Sequence, residues 1–254
     1  MTRTLPRSIL HSTQLVRTLL DLDAASLSAP PSDLGKALGQ WITFVDANNL
    51  SELSFEYDRQ TSYGATPVNV TAIEKEFSKL RSSLEADIIQ SSQPVSMGTR
   101  LSLPAPHAKQ AIDDASSYAP YRRYIQAQQQ NMEVKVRQIR ATVRDRVSRA
   151  TPAFKQLVDL DASFERVLSE REAARLANIP AILEKRFKQL LATHQKFLTE
   201  QDAPDSVDLW LLPEGWLTRF QKELQAVLLA EMDLRLQTTV GLIEACTKQL
   251  TQQA

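Results

Sequence analysis

Apolar residues recur along this chain at spacings of three and four, the period of a helix that buries one face. Ile9, Leu15, Val16, Leu19 and Leu20 predict a first helix over about residues 7–25, just after Pro6. A linker, SLSAPPSD, follows, and Ser32 can cap a second helix carrying Leu34, Leu38, Trp41, Ile42 and Val45. Residues 48–69 are polar and mixed and predict no clear element. Thr71 and Glu74 fit a capping box for a helix over residues 72–89, with Ile73, Phe77, Leu80, Leu84 and Ile88 on one side. Residues 91–107 hold three prolines and one glycine and mark the best boundary in the chain.

The most regular pattern lies over residues 120–150. Ile125, Gln129, Met132, Val136, Ile139, Val143 and Val147 alternate by four and three, a heptad-like seam for packing against another helix. Thirty helical residues extend about 45 Å and need partners along that length. Thr151 and Pro152 read as a cap and first helical residue, followed by Phe154, Leu157, Leu160, Phe164 and Leu168. The stripe continues through Ile179, Leu183, Phe187, Leu190, His194 and Phe197, with Pro180 predicting a kink or break near Asn178. An acidic connector spans residues 200–208. Pro213 then suits the start of a last helix, carrying Trp216, Leu217, Phe220, Leu224, Val227 and Leu228 and reaching about Leu250. The fold expected is all-α: an elongated multi-helix bundle with long amphipathic, coiled-coil-like helices. Its expected division is an N-terminal unit (1–92), a Pro-containing linker (93–104) and an elongated C-terminal bundle (105–254).

Composition strengthens the helical reading. Six glycines in 254 residues are too few for a turn-rich sheet protein and leave no phosphate loop or dinucleotide fingerprint. The single cysteine, Cys246, forms no internal disulfide and points to a reducing compartment, the cytoplasm; its pattern makes it a small apolar residue of a helix. No apolar run approaches the roughly 20 residues of a membrane span. Three arginines and no acid within the first twenty residues match a transit peptide in composition, but the periodic leucines favour a helix. His11, Gln14 and Arg17 interrupt any secretory signal.

Charge changes the picture more. Thirty basic and thirty acidic residues cancel, so the global positive excess of a nucleic-acid binder is missing. Residues 121–149 nevertheless carry eight bases and two acids, with Tyr118, Tyr121 and Tyr124 at their start. Arg122, Arg123, Lys135, Arg137, Arg140 and Arg144 could hold phosphates while the tyrosines stack on bases. Against this, acidic blocks lie elsewhere: four acids in residues 46–58, five in 200–214, and Asp159, Asp161, Glu165, Glu170 and Glu172 on the next helix. A basic arm and acidic arms in a neutral chain most simply pair within the chain or between subunits.

Candidate chemistry is sparse. His11, His107 and His194 are far apart and form no ligand pair, and the acidic run after Glu200 lacks the glycine and oxygen spacing of a calcium loop. No nucleophile elbow is present, no carboxylate pair stands out, and no cofactor, metal or small-molecule substrate is expected. WLLPEGW, residues 210–216, is the most unusual local pattern. Its Trp210 and Trp216 either pin a helix corner or form an aromatic hot spot for a protein partner.

PRSILHSTQLVRTLLDLDA, WITFVDANNLSELSFEY and WLLPEGWL together resemble a family of uncharacterised proteobacterial proteins of similar length. The resemblance carries over no catalytic residue. It implies a cytoplasmic accessory of a bacterial envelope assembly, through neighbouring genes for membrane proteins. The function expected is therefore non-enzymatic interaction or scaffolding, with a protein partner or a second copy meeting the seam of Ile125, Met132, Val136, Ile139, Val143 and Val147 and the corner of Trp210 and Trp216. The alternatives are nucleic-acid binding by the basic helix and an enzyme of unrecognised type.

Overall fold

The computed structural model describes residues 70–92, 101–106, 116–149, 152–202 and 204–253, together with Leu15, Arg17, Thr18, Leu19 and Leu22. Helices run over Val70–Ser91 (α1), Ala119–Ser148 (α2), Pro152–Leu176 (α3), Ile179–Gln201 (α4), Val207–Trp210 (α5) and Trp216–Gln253 (α6). No described residue lies in a strand, so the fold is all-α. The expected second helix, residues 34–45, lies outside the described residues, as does most of the first. Leu15, Leu19 and Leu22 are helical and belong to the core or pack against it.

Helix α6, 38 residues long, is the axis. It packs against α1, α2, α3, α4 and α5. Leu217, Phe220, Leu224, Val227 and Leu228 are all completely buried, because neighbours cover α6 on more than one side. Helix α2 runs alongside α6 in the same direction: Tyr121 meets Phe220 near one end, and Gln129 bonds Glu231 further along. The other long helices run the opposite way. Arg81 and Glu74 of α1 reach Asp233 and Thr247. Arg144 and Gln129 of α2 reach Asp161 and the Leu176 carbonyl of α3. Arg186 and His194 of α4 lie by Glu223 and Trp216.

The break expected near Asn178 is present, with Asn178 preceding α4 and Pro180 in its first turn, where the ring cannot block a helical bond. Other boundaries moved. Helix α1 starts at Val70, so Thr71 lies inside its first turn instead of capping it. Helix α6 starts at Trp216, and Pro213 belongs to the turn before it.

Ile88 and Leu103 share a buried cluster with Val136, Phe154, Leu183 and Phe220. The Leu103 amide donates to the Ser91 carbonyl at 2.9 Å, which turns the Pro-containing segment back onto the end of α1. The seam side chains Ile125, Met132, Val136, Ile139, Val143 and Val147 are at most 4% exposed in this same core. Here α2 packs that face, expected to meet a partner, a second copy or another helix, against its own chain. Tyr121, Tyr124 and Gln128 extend the buried face, and Gln128 takes the inner place expected of Gln129.

Candidate functional site

The basic helix is neutralised from three sides. Arg122 pairs with Glu184 of α4. Lys135 pairs with Asp87 and Arg146 with Glu76, both of α1. Arg140 reaches Glu165 and the Arg235 carbonyl, and Arg144 reaches Asp161 and Glu165 of α3. Arg137 and Arg149 pair one turn back along α2, with Glu133 and Asp145. These carboxylates meet the guanidinium and ammonium groups that a phosphate backbone would require. Arg123 is exposed. The tyrosines assigned to base stacking are buried instead. Tyr124 bonds Ser91, and Tyr118 donates to the Pro180 carbonyl at 2.7 Å. Tyr121 lies edge-on to Phe220 with ring centroids 5.5 Å apart.

A polar cleft of about 320 Å³ opens between α2, α3 and α6, lined in part by Arg140, Glu165, Glu172 and Arg235. Burial would raise Glu165, but hydrogen bonds from Arg144 and Arg140 outweigh it and hold this carboxyl below its ordinary range. Glu231 is completely buried, and desolvation raises it despite bonds from Arg235 and Gln129. Desolvation likewise raises Glu172, against the attraction of Arg140 and Arg235.

These opposite shifts set a pH dependence. A lowered carboxyl stabilises the fold above its unfolded value, and that contribution is lost as pH falls through the folded one. A raised carboxyl binds more protons when folded, so it costs stability as pH rises past its unfolded value. Glu172→Gln is therefore expected to raise the melting temperature at pH 8 and leave it nearly unchanged at pH 4. Thermal unfolding at both values checks this; equal effects at both would reject it.

The second constellation is the corner between α4 and α6. Trp210 is completely buried and Trp216 nearly so, which corrects the expectation that their rings meet a partner. Their centroids lie 5.2 Å apart, and Trp216 packs edge-on to Phe187 at 5.1 Å. Asp205 ties the corner down: its Oδ1 accepts from Trp210 Nε1 at 2.7 Å and lies 2.9 Å from His194 Nε2. Gly215 lets the turn close. A Cβ there would sit 2.2 Å from the Trp210 carbonyl oxygen, so no other residue fits without opening the corner.

Turning both rings inward turns their neighbours outward. Leu209, Leu211 and Leu212 are 38%, 39% and 51% exposed. Half of the six exposed large apolar side chains among the described residues thus fall within four positions. Phe197, three residues beyond His194 on α4, is also exposed. This ridge is the contact candidate that sequence reading missed. A run of leucines around a tryptophan does not say which members face inward.

Cys246 is buried, which pushes its thiol up to about 11 and away from thiolate chemistry. Among the described residues, no group of three or more His, Cys, Asp or Glu is placed to hold a metal. No described helix is long and apolar enough to cross a membrane. No curated protein and no solved structure matches the chain. Residues 1–248 match a family described as a protein of unknown function (DUF3348), and the chain belongs to that family.

Proposed function

We propose that this chain is a non-enzymatic interaction protein, a helical scaffold whose contact surface is the outer face of the corner at residues 209–212. The observation that carries this reading is the exposure of Leu209, Leu211 and Leu212 on a turn whose buried side is locked by Trp210, Trp216 and Gly215. Apolar side chains held in water on a rigid support are already ordered for a partner, which lowers the entropy cost of binding. The partner role first assigned to the seam and the two tryptophans passes to these leucines. The working place is the cytoplasm, in keeping with a single, buried cysteine. The role there is that of an accessory to a bacterial envelope assembly. Nucleic-acid binding through Arg122, Arg123, Lys135, Arg137, Arg140 and Arg144 has less support, since five of these six are paired with carboxylates of the chain.

The test is capture from native lysate, with and without nuclease, by the wild type and by Leu211→Asp/Leu212→Asp. Exposed substitutions leave stability within about 0.5 kcal/mol. Loss of two anchors is expected to weaken a specific, nuclease-resistant partner by at least about thirtyfold. Full retention of every protein partner by the double variant rejects the corner. Recovery of nucleic acid, with partners lost on digestion, favours the basic helix.

A further inference from the structure

We infer that the corner recognises a basic amphipathic helix of a partner protein, and that the groove beside it receives a Lys or Arg side chain from that helix. The inference rests on the corner being a contact surface and adds the chemistry of what it contacts.

Charge supplies the first argument. Residues 200–214 carry five acids and no base, in a chain whose net charge is zero. Glu200, Asp202, Asp208 and Glu214 are exposed; Lys196 pairs with Glu200 at 3.8 Å, and Asp202, Asp208 and Glu214 give the leucine ridge a local field that repels acidic partners and attracts basic ones.

The groove supplies the second. An open depression of about 610 Å³ lies between the end of α4 and the connector, lined by Gln195, Leu198, Thr199, Asp202, Pro204 and Asp205. It belongs to the same stretch of chain as the ridge. Leu198 and Pro204 offer apolar wall for an aliphatic stem, and two carboxylates offer acceptors for its charged head. Asp202 has left-handed backbone, φ 48°, as it ends α4. Asp205 spends only Oδ1 on His194 and Trp210, and no described bond uses its Oδ2. A guanidinium has the paired donors to join two carboxylates, while leucines of the same helix cover Leu209, Leu211 and Leu212.

The probe is an 18-residue helical peptide of Leu and Arg, alongside a counterpart with Glu replacing Arg. Binding to the full chain is measured by fluorescence anisotropy from 50 to 500 mM salt. The basic peptide is expected to bind and the acidic one not. Asp202→Asn/Asp208→Asn is expected to weaken binding about tenfold at low salt and flatten its salt dependence. Asp159→Asn/Glu170→Gln removes the same charge from exposed positions of α3 and is expected to change binding less than twofold. Equal losses in the two double variants, or equal binding of both peptides, overturn the inference. Self-association of the chain at the ridge, abolished by Leu211→Asp/Leu212→Asp, overturns it in favour of a second copy. If those leucine substitutions abolish native partner capture while the aspartate pair does not weaken it, the corner stands as a contact and its basic occupant falls.

Discussion

Met132→Asp/Ile139→Asp is expected to unfold the protein, not merely release a partner. Both side chains lie in the middle of α2 and are 1% and 4% exposed. Losing each from the core removes about 2–3 kcal/mol of burial. Each new carboxyl must then either desolvate or take up a proton, at a further cost of several kcal/mol. The total, on the order of 10 kcal/mol, matches or exceeds the usual stability of a folded chain, about 5–15 kcal/mol. Circular dichroism should show loss of cooperative melting. A folded, monomeric variant with unchanged stability would mean that the seam packs between chains.

Phe220→Ala should cost about 3–5 kcal/mol and lower the melting temperature by roughly 10 °C. Phe220 is completely buried where α2, α4 and α6 meet. Its ring lies 5.0 Å from that of Phe187, 5.5 Å from Tyr121 and 6.3 Å from Tyr118. Removing it leaves a cavity and breaks three ring contacts at once. Phe187 also supports Trp216, so the variant should loosen the corner and shift tryptophan emission to longer wavelength. Phe220→Leu, which fills much of the volume, should lose clearly less. A melting temperature within 2 °C of wild type for Phe220→Ala would show that this cluster does not hold the ends of the three helices together.

A fall in stability on acidification tests the half-buried ion pairs of Glu165 and Glu223. Burial opposes the charge of Glu223, but hydrogen bonds from Arg186 and Arg219 hold it below its ordinary range, as Arg144 and Arg140 hold Glu165. Stability from both carboxyls is present above the ordinary carboxylate range and is lost as pH falls through their lowered values. Glu165→Gln/Glu223→Gln should flatten that acid limb of the unfolding curve, and an unchanged limb would assign it to other groups.

The sequence by itself determined the long helices among the described residues, the break at Pro180 and the apolar stripe of α2. Each rests on local rules: the period of three and four, the geometry of proline, and the exclusion of apolar stripes from water. It also carried the charge complementarity between the basic helix and its acidic neighbours, though not the pairs. Only the tertiary structure decided that Arg140 and Arg144 meet Glu165, that Lys135 meets Asp87, and that α1 joins the same core as α6. These depend on helix direction and rotation, which a helical period leaves open. The corner shows the same limit most sharply. WLLPEGW marked an unusual turn, yet which residues face outward was set by Trp210 Nε1 finding Asp205 and by the close approach at Gly215. Partners distant in sequence fix such orientations, so the exposed leucines became visible only once the chain had packed on itself.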